Sequence, residues 1–182
     1  MFRRRKTLTI LDKIKAALWP KKGFSRAINY LVQRVLRMPG SAYSLAAGFA
    51  SGAAVSFTPF IGFHFLLAIA LAAVIRGNIL TALIGTAIGN PWTFPLILVM
   101  LHHVGAYFMP MLGIEAGEFF GFAEIGQTSG FAELFLPMII GGMITAPLSW
   151  PVFFALVYWL VTSWRKHRAL RRQKKQLEKS SV

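Results

Sequence analysis

From Ala42 to Ile75 the chain reads AYSLAAGFASGAAVSFTPFIGFHFLLAIALAAVI, 34 residues with no formal charge. As a single helix this stretch would run ~50 Å, well beyond the ~30 Å hydrocarbon core of a bilayer. It must therefore fold back or break. The break is written at Phe57-Thr58-Pro59-Phe60-Ile61-Gly62. Pro59 removes a backbone donor and disfavours helix at Thr58, while Gly62 permits unusual backbone angles. Each half then measures ~24 Å, short for a complete crossing. The stretch is either a thin hairpin or a re-entrant pair of half-helices.

The charges around it explain an unusual composition. The 182 residues carry a net charge of +14, yet 55% are apolar and the mean hydropathy is +0.57. Charge and apolarity are segregated along the chain. Residues 1–41 carry +10, residues 42–164 hold only Arg76 and four glutamates, and residues 165–182 carry +7. These are three segments: a basic cytoplasmic N-terminal segment, a transmembrane domain and a basic cytoplasmic tail. A middle so poor in charge excludes a soluble globular enzyme and a disordered chain. With no cysteine there is no disulfide scaffold, thiolate catalysis or thiolate metal site. The basic Arg3, Arg4, Arg5 and Lys6 are not the start of a secretory signal, because the apolar run from Leu8 ends at Asp12. The N-terminus is expected to be retained in the cytoplasm.

Phe24 to Met38 has apolar residues at helical spacing, with Arg26, Asn29, Tyr30, Gln33, Arg34 and Arg37 on the opposite face. It reads as a basic amphipathic helix, lying either in the headgroup plane or on the protein's own cytoplasmic face. After Arg76-Gly77-Asn78, the stretch Ile79 to Leu101 has the length of one span and is interrupted at Gly89-Asn90-Pro91 and again at Pro95. Backbone groups freed there must face protein or a watery cavity. His102 and His103 follow just beyond. Gly113 to Glu133, with Glu115, Glu118, Glu124 and Glu133, reads as a loop or short surface helix on the far side. Leu134 to Trp164 is again too long for one upright helix, and Pro137, Pro147 and Pro151 divide it. Tyr158, Trp159 and Trp164 precede Arg165 and Lys166, the order of a membrane boundary, and the tail is expected to continue as a cytoplasmic helix. Two basic ends on one side require an even number of crossings: four, or two plus a re-entrant pair. The expected fold is all-α and polytopic, with about four membrane segments broken or re-entrant at Pro59 and Pro91.

Ala47-Gly48-Phe49-Ala50-Ser51-Gly52, then Phe57-Thr58-Pro59-Phe60-Ile61-Gly62-Phe63-His64, then Arg76-Gly77-Asn78, Gly85-Thr86 and Asn90-Pro91-Trp92-Thr93-Phe94-Pro95 resemble the bacterial membrane-protein family named for domain of unknown function 2062. The resemblance covers roughly residues 25–165. It implies a small polytopic protein of the bacterial cytoplasmic (inner) membrane, supplies no catalytic residue and leaves the activity unassigned. Related domains joined to glycosyltransferase-like domains hint at lipid-linked sugar chemistry.

Function is then sought in polar groups within apolar stretches, which are costly and usually face a bundle interior. They are Thr58, His64, Arg76, Asn90 and Thr93. In one reading the breaks meet near mid-membrane as a site for an anionic substrate, with half-helix N-termini donating amides and Arg76 as counter-charge at the cytoplasmic mouth. In the other the prolines only kink helices, His64 bonds a backbone carbonyl and Arg76 snorkels to lipid phosphate. Gly48-x-x-x-Gly52 and Gly85-x-x-x-Gly89 permit close helix approach, although 16 glycines also produce such spacings by chance. The breaks do not make a repeat, since Pro59 and Pro91 stand at different distances from the preceding glycines. Adjacent His102 and His103 diverge on a helix, so no metal site is expected. No cofactor motif or catalytic set is found, which points away from an enzyme. The basic ends fit anionic lipid and a possible cytoplasmic protein partner; without aromatics among the tail's cations, no nucleic-acid partner is expected. The two functional classes left are a transporter-like or lipid-handling protein and a non-catalytic membrane scaffold.

Overall fold

The structure, a computed structural model, describes residues 24–114 and 131–180. The glutamate-bearing segment expected on the far side falls mostly outside them. Among the described residues all regular structure is helical. α1 (Phe24–Leu36) forms a unit by itself and matches the expected amphipathic helix, with Arg26, Asn29, Tyr30, Gln33, Arg34 and Arg37 exposed and Val35 and Leu36 buried.

The second unit begins with α2 (Ala42–Ser56), capped by Ser41, whose hydroxyl accepts from the Ser44 amide at 3.0 Å. From Leu45 to Ser56 only Phe49 is not buried. α3 (His64–Val74) and α4 (Ile79–Gly85) follow, and a single 3-10 turn, Thr86–Ile88, extends α4. α5 (Phe94–Phe108) continues into a second 3-10 turn, Met109–Leu112. α6 (Phe131–Ser180) is one helix of 50 residues, ~75 Å long.

α2 packs on α4 through small residues. A Cβ at Gly52 would fall on the Ala82 carbonyl, and one at Gly85 on the Phe49 carbonyl. Lipid tails are as apolar as leucine, so membrane helices associate through this backbone proximity rather than through hydrophobic burial. Both Gly-x-x-x-Gly spacings are thus packing faces. α5 and α6 repeat the device: a Cβ at Gly105 would meet the Pro137 carbonyl, and one at Gly141 the Leu101 carbonyl. The higher-numbered α5 residue pairs with the lower-numbered α6 residue, Gly105 with Pro137 and Leu101 with Gly141, so the two helices run antiparallel.

One end of this unit is tied together. The Asn78 amide donates to Ser44 O at 2.8 Å, Tyr43 OH to Ile75 O at 3.2 Å, and Arg165 Nη2 to Gly40 O at 2.8 Å. The start of α2, the end of α3, the start of α4 and Arg165 of α6 therefore share a level. Phe49 and Phe57 line up along α2 against Phe153 of α6, at ring separations of 6.4 and 6.1 Å.

Three expectations need correcting. Pro95 does not interrupt a helix; it lies in the first turn of α5, where its missing N–H has no intrahelical partner to lose. His102 and His103 lie inside α5 rather than beyond a span, and His102 is buried. Pro137, Pro147 and Pro151 do not divide α6, which runs through all three. Membrane helices tolerate internal proline; the nearby Thr145 and Ser149 hydroxyls bond Gly141 O and Ala146 O, both at 2.8 Å, carbonyls other than those the prolines free.

Large apolar side chains face outward on every helix of this unit after α2. Phe65, Leu66 and Val74 on α3, Leu80 on α4, Leu96 on α5, and Met143, Leu148, Val152 and Trp159 on α6 are all exposed. Soluble monomers rarely show apolar surface on that scale. Phe94–Leu112 and Phe135–Glu178 are long and apolar enough to cross a membrane. α2, α3 and α4 have 15 residues or fewer, below the ~20 that a crossing needs.

Candidate functional site

The first break runs from Phe57 to Phe63. Thr58 closes the end of α2, its hydroxyl donating to Val55 O at 2.7 Å and its amide to the same oxygen at 3.1 Å. Pro59 is buried, and Ile61 N donates to Pro59 O at 2.9 Å. Gly62 has φ +89°, a left-handed angle that a side chain would resist, and Phe63 N reaches Phe60 O at 3.1 Å. His64, the first residue of α3, directs Nε2 to Thr58 O at 3.3 Å. A carbonyl only accepts, so Nε2 carries the proton in that contact.

The second break is built around Asn90 and Thr93. Asn90 Oδ1 accepts from Trp92 N at 2.9 Å and Thr93 N at 3.1 Å, and Phe94 N donates to Asn90 O at 2.8 Å. The Thr93 hydroxyl donates to Ile88 O and accepts from Asn90 N, the latter at 3.1 Å. Pro91, in the turn that follows Asn90, has no amide to satisfy. Asn90 Oδ1 thus holds the turn of residues 90–93 that leads into α5, and α5 itself opens at Thr93 without a side-chain cap. α3 opens without a side-chain cap at Phe63.

The two breaks meet. The His64 ring stands edge-on to Phe94 with centroids 5.5 Å apart, so the first residues of α3 and α5 are neighbours. Ser56 Oγ lies 3.4 Å from Thr86 O, and a Cβ at Gly89 would come within 3.0 Å of Ser56 Cβ. Beside them Thr58, Pro59 and Phe60 face Gly142, Met143 and Pro147 of α6 across an open apolar groove of about 330 Å³, with Ile139 and Ala146 completing its wall.

Arg76 does not join this cluster. It follows the opposite end of α3, and the 11 residues of that helix separate it from His64 by ~16 Å. There Gly77 N donates to Ala72 O at 2.7 Å and Arg76 N to Ala73 O at 3.2 Å, a Schellman ending that sets Arg76 at φ +56° with its side chain exposed. Of the five polar residues singled out, Thr58, His64, Asn90 and Thr93 thus come together, and each hydrogen-bonds backbone of its own break. The α6 wall of the groove was not anticipated; Gly141-Gly142 and Pro147, small or ring-shaped residues in an apolar helix, were the signal for it. Among the described residues no three His, Asp or Glu side chains cluster as metal ligands.

The chain matches the family described as "Uncharacterized protein conserved in bacteria (DUF2062)" over residues 25–170, most of its length, and it belongs to that family. No curated protein and no solved structure matches it.

Proposed function

We propose that this member of the family sits in the bacterial cytoplasmic membrane with both termini in the cytoplasm and handles an anionic lipid without catalysing a reaction. In this reading α4 and α5 form one broken crossing, α6 forms the return crossing, and α2 and α3 form a re-entrant pair that enters and leaves on the cytoplasmic side. Helix lengths support it, as does the shared level of the α2 start, the α3 end and Arg165. Arg76, Arg165, Lys166 and Arg168 would then mark the cytoplasmic headgroup level. The α2 helix would carry the break ~22 Å below that level, inside the hydrocarbon core.

The groove at Thr58-Pro59 is the observation that carries the reading. It is apolar and open, and in this reading it lies where a lipid chain would run, while the charged headgroup would remain near Arg76. A phosphatidylglycerol with a photoreactive group on its acyl chain should label α6 around Met143. Ala146→Phe, which fills the groove, should abolish that labelling at unchanged abundance. Labelling that survives Ala146→Phe, or that is equal for a phosphatidylcholine analogue and indifferent to Arg76→Gln, would overturn the reading.

A scaffold is the second reading, favoured because the polar residues of both breaks are occupied with their own backbone. Alanine at Thr58, His64, Arg76 and Asn90 separates the two. A lipid handler keeps its abundance and loses its phenotype, whereas a scaffold tolerates these changes and fails when the tails are trimmed.

A further inference from the structure

α6 has neither proline nor glycine after Pro151, and it continues without interruption to Ser180. The apolar helix and the basic tail are one rod. Its exit from the membrane is marked by Trp164, which Arg168 covers at 5.1 Å from the ring centroid, and by Arg165, held on Gly40 O. Beyond that level each residue rises 1.5 Å, which lifts Arg171, Arg172 and Lys174 ~9–14 Å, and an average helix tilt of about 20° changes this little. The Debye length at physiological salt is ~8 Å, so attraction to anionic headgroups fades over that distance. Bending the rod down onto the lipid would break a helix that contains no breaker.

We infer that the exposed row Arg171, Arg172 and Lys174, which shares its surface with Glu178 and keeps a net positive charge, is a docking surface for an acidic, partly apolar segment of a soluble cytoplasmic protein. Arginine forks fit carboxylates in pairs. Leu170, 53% exposed beside Arg171, decides the class of partner. A leucine gains nothing from a phosphate backbone, but it packs against an apolar residue set among carboxylates. A second copy of the chain would bring the same cations face to face, which opposes self-association through this row. The inference uses the cytoplasmic placement of the tail but not the lipid-handling groove.

The test uses the full chain in nanodiscs of phosphatidylcholine with phosphatidylglycerol, and a fluorescent helical peptide of glutamate and leucine as probe. Replacing Arg171, Arg172 and Lys174 by Gln should weaken binding by about tenfold or more, with thermal stability unchanged. Leu170→Ser should weaken the peptide further and leave polyglutamate binding unaltered. Binding indifferent to the three substitutions overturns the inference, as does polyuridylate bound as tightly as the peptide and insensitive to Leu170→Ser. Because the chain has no cysteine, a spin label at Gln173→Cys reports position cleanly. It should be open to a water-soluble nickel complex; shielding by lipid would show a tail lying on the membrane and overturn the inference independently.

Discussion

Arg76 is the one formally charged residue between Ala42 and Ile114, and it is also the one non-glycine residue with positive φ among those described. The left-handed angle costs an L-residue about 1–2 kcal/mol, and glycine is the usual occupant of this position in a Schellman ending. The backbone is held there from three sides, by Ala72 O, Tyr43 and Ser44. Arg76→Gly should therefore raise stability in detergent by about 1 kcal/mol, read from the unfolding midpoint, while anionic-lipid capture falls. A variant that is neither more stable nor weaker in capture would leave the retained cation without a purpose. At the same scale Gly105→Ala sets a methyl against the Pro137 carbonyl, and overpacking of that kind costs about 1–3 kcal/mol. Thermal unfolding in detergent checks it, with Gly113→Ala expected to report only backbone strain, because a Cβ there meets no atom within 4 Å.

The breaks behave as elements with their own chemistry. Asn90 Oδ1 closes the turn ahead of α5 through two amides, so Asn90→Ala should cost about 0.5–1.5 kcal/mol. Asn90→Asp should restore part of this, as judged by the same unfolding measurement. Proline chemistry made both breaks legible in the sequence, since Pro59 and Pro91 sit where two apolar stretches cannot run straight. The same rule misled at Pro95 and along α6. A proline in a first turn removes no bond, and a long membrane helix can run through three prolines, neither of which shows in a residue count. The small-residue faces were visible as Gly-x-x-x-Gly spacings, but Gly105 and Gly141 face each other across two helices far apart in sequence. No local pattern pairs them. The convergence of His64 with Phe94 belongs to the same class, and so does the α6 wall of the groove.

For the whole molecule, the re-entrant arrangement and four full crossings differ in one accessible way. If α2 and α3 turn back inside the bilayer, Ile61→Cys should resist membrane-impermeant thiol reagents applied from either side, whereas four crossings would bring it to the outer face and make it reactive there. Cysteines at Arg5 and Gln176 should both react only from the cytoplasmic side under either arrangement. Charge segregation alone sets the expected parity of crossings, because that expectation depends only on which ends are basic. Charge does not set depth, which depends on how far short helices reach before they meet. The most enclosed helix, α2, is built from alanine, glycine and serine, the least oily of the apolar helices, and it emerges from the ribosome before any neighbour that could cover it. An insertion machine that sorts segments by greasiness should therefore hold α2 back until α3 and α4 have been made, so a nascent chain arrested at Val74 should remain extractable by carbonate while one arrested after Phe108 should not.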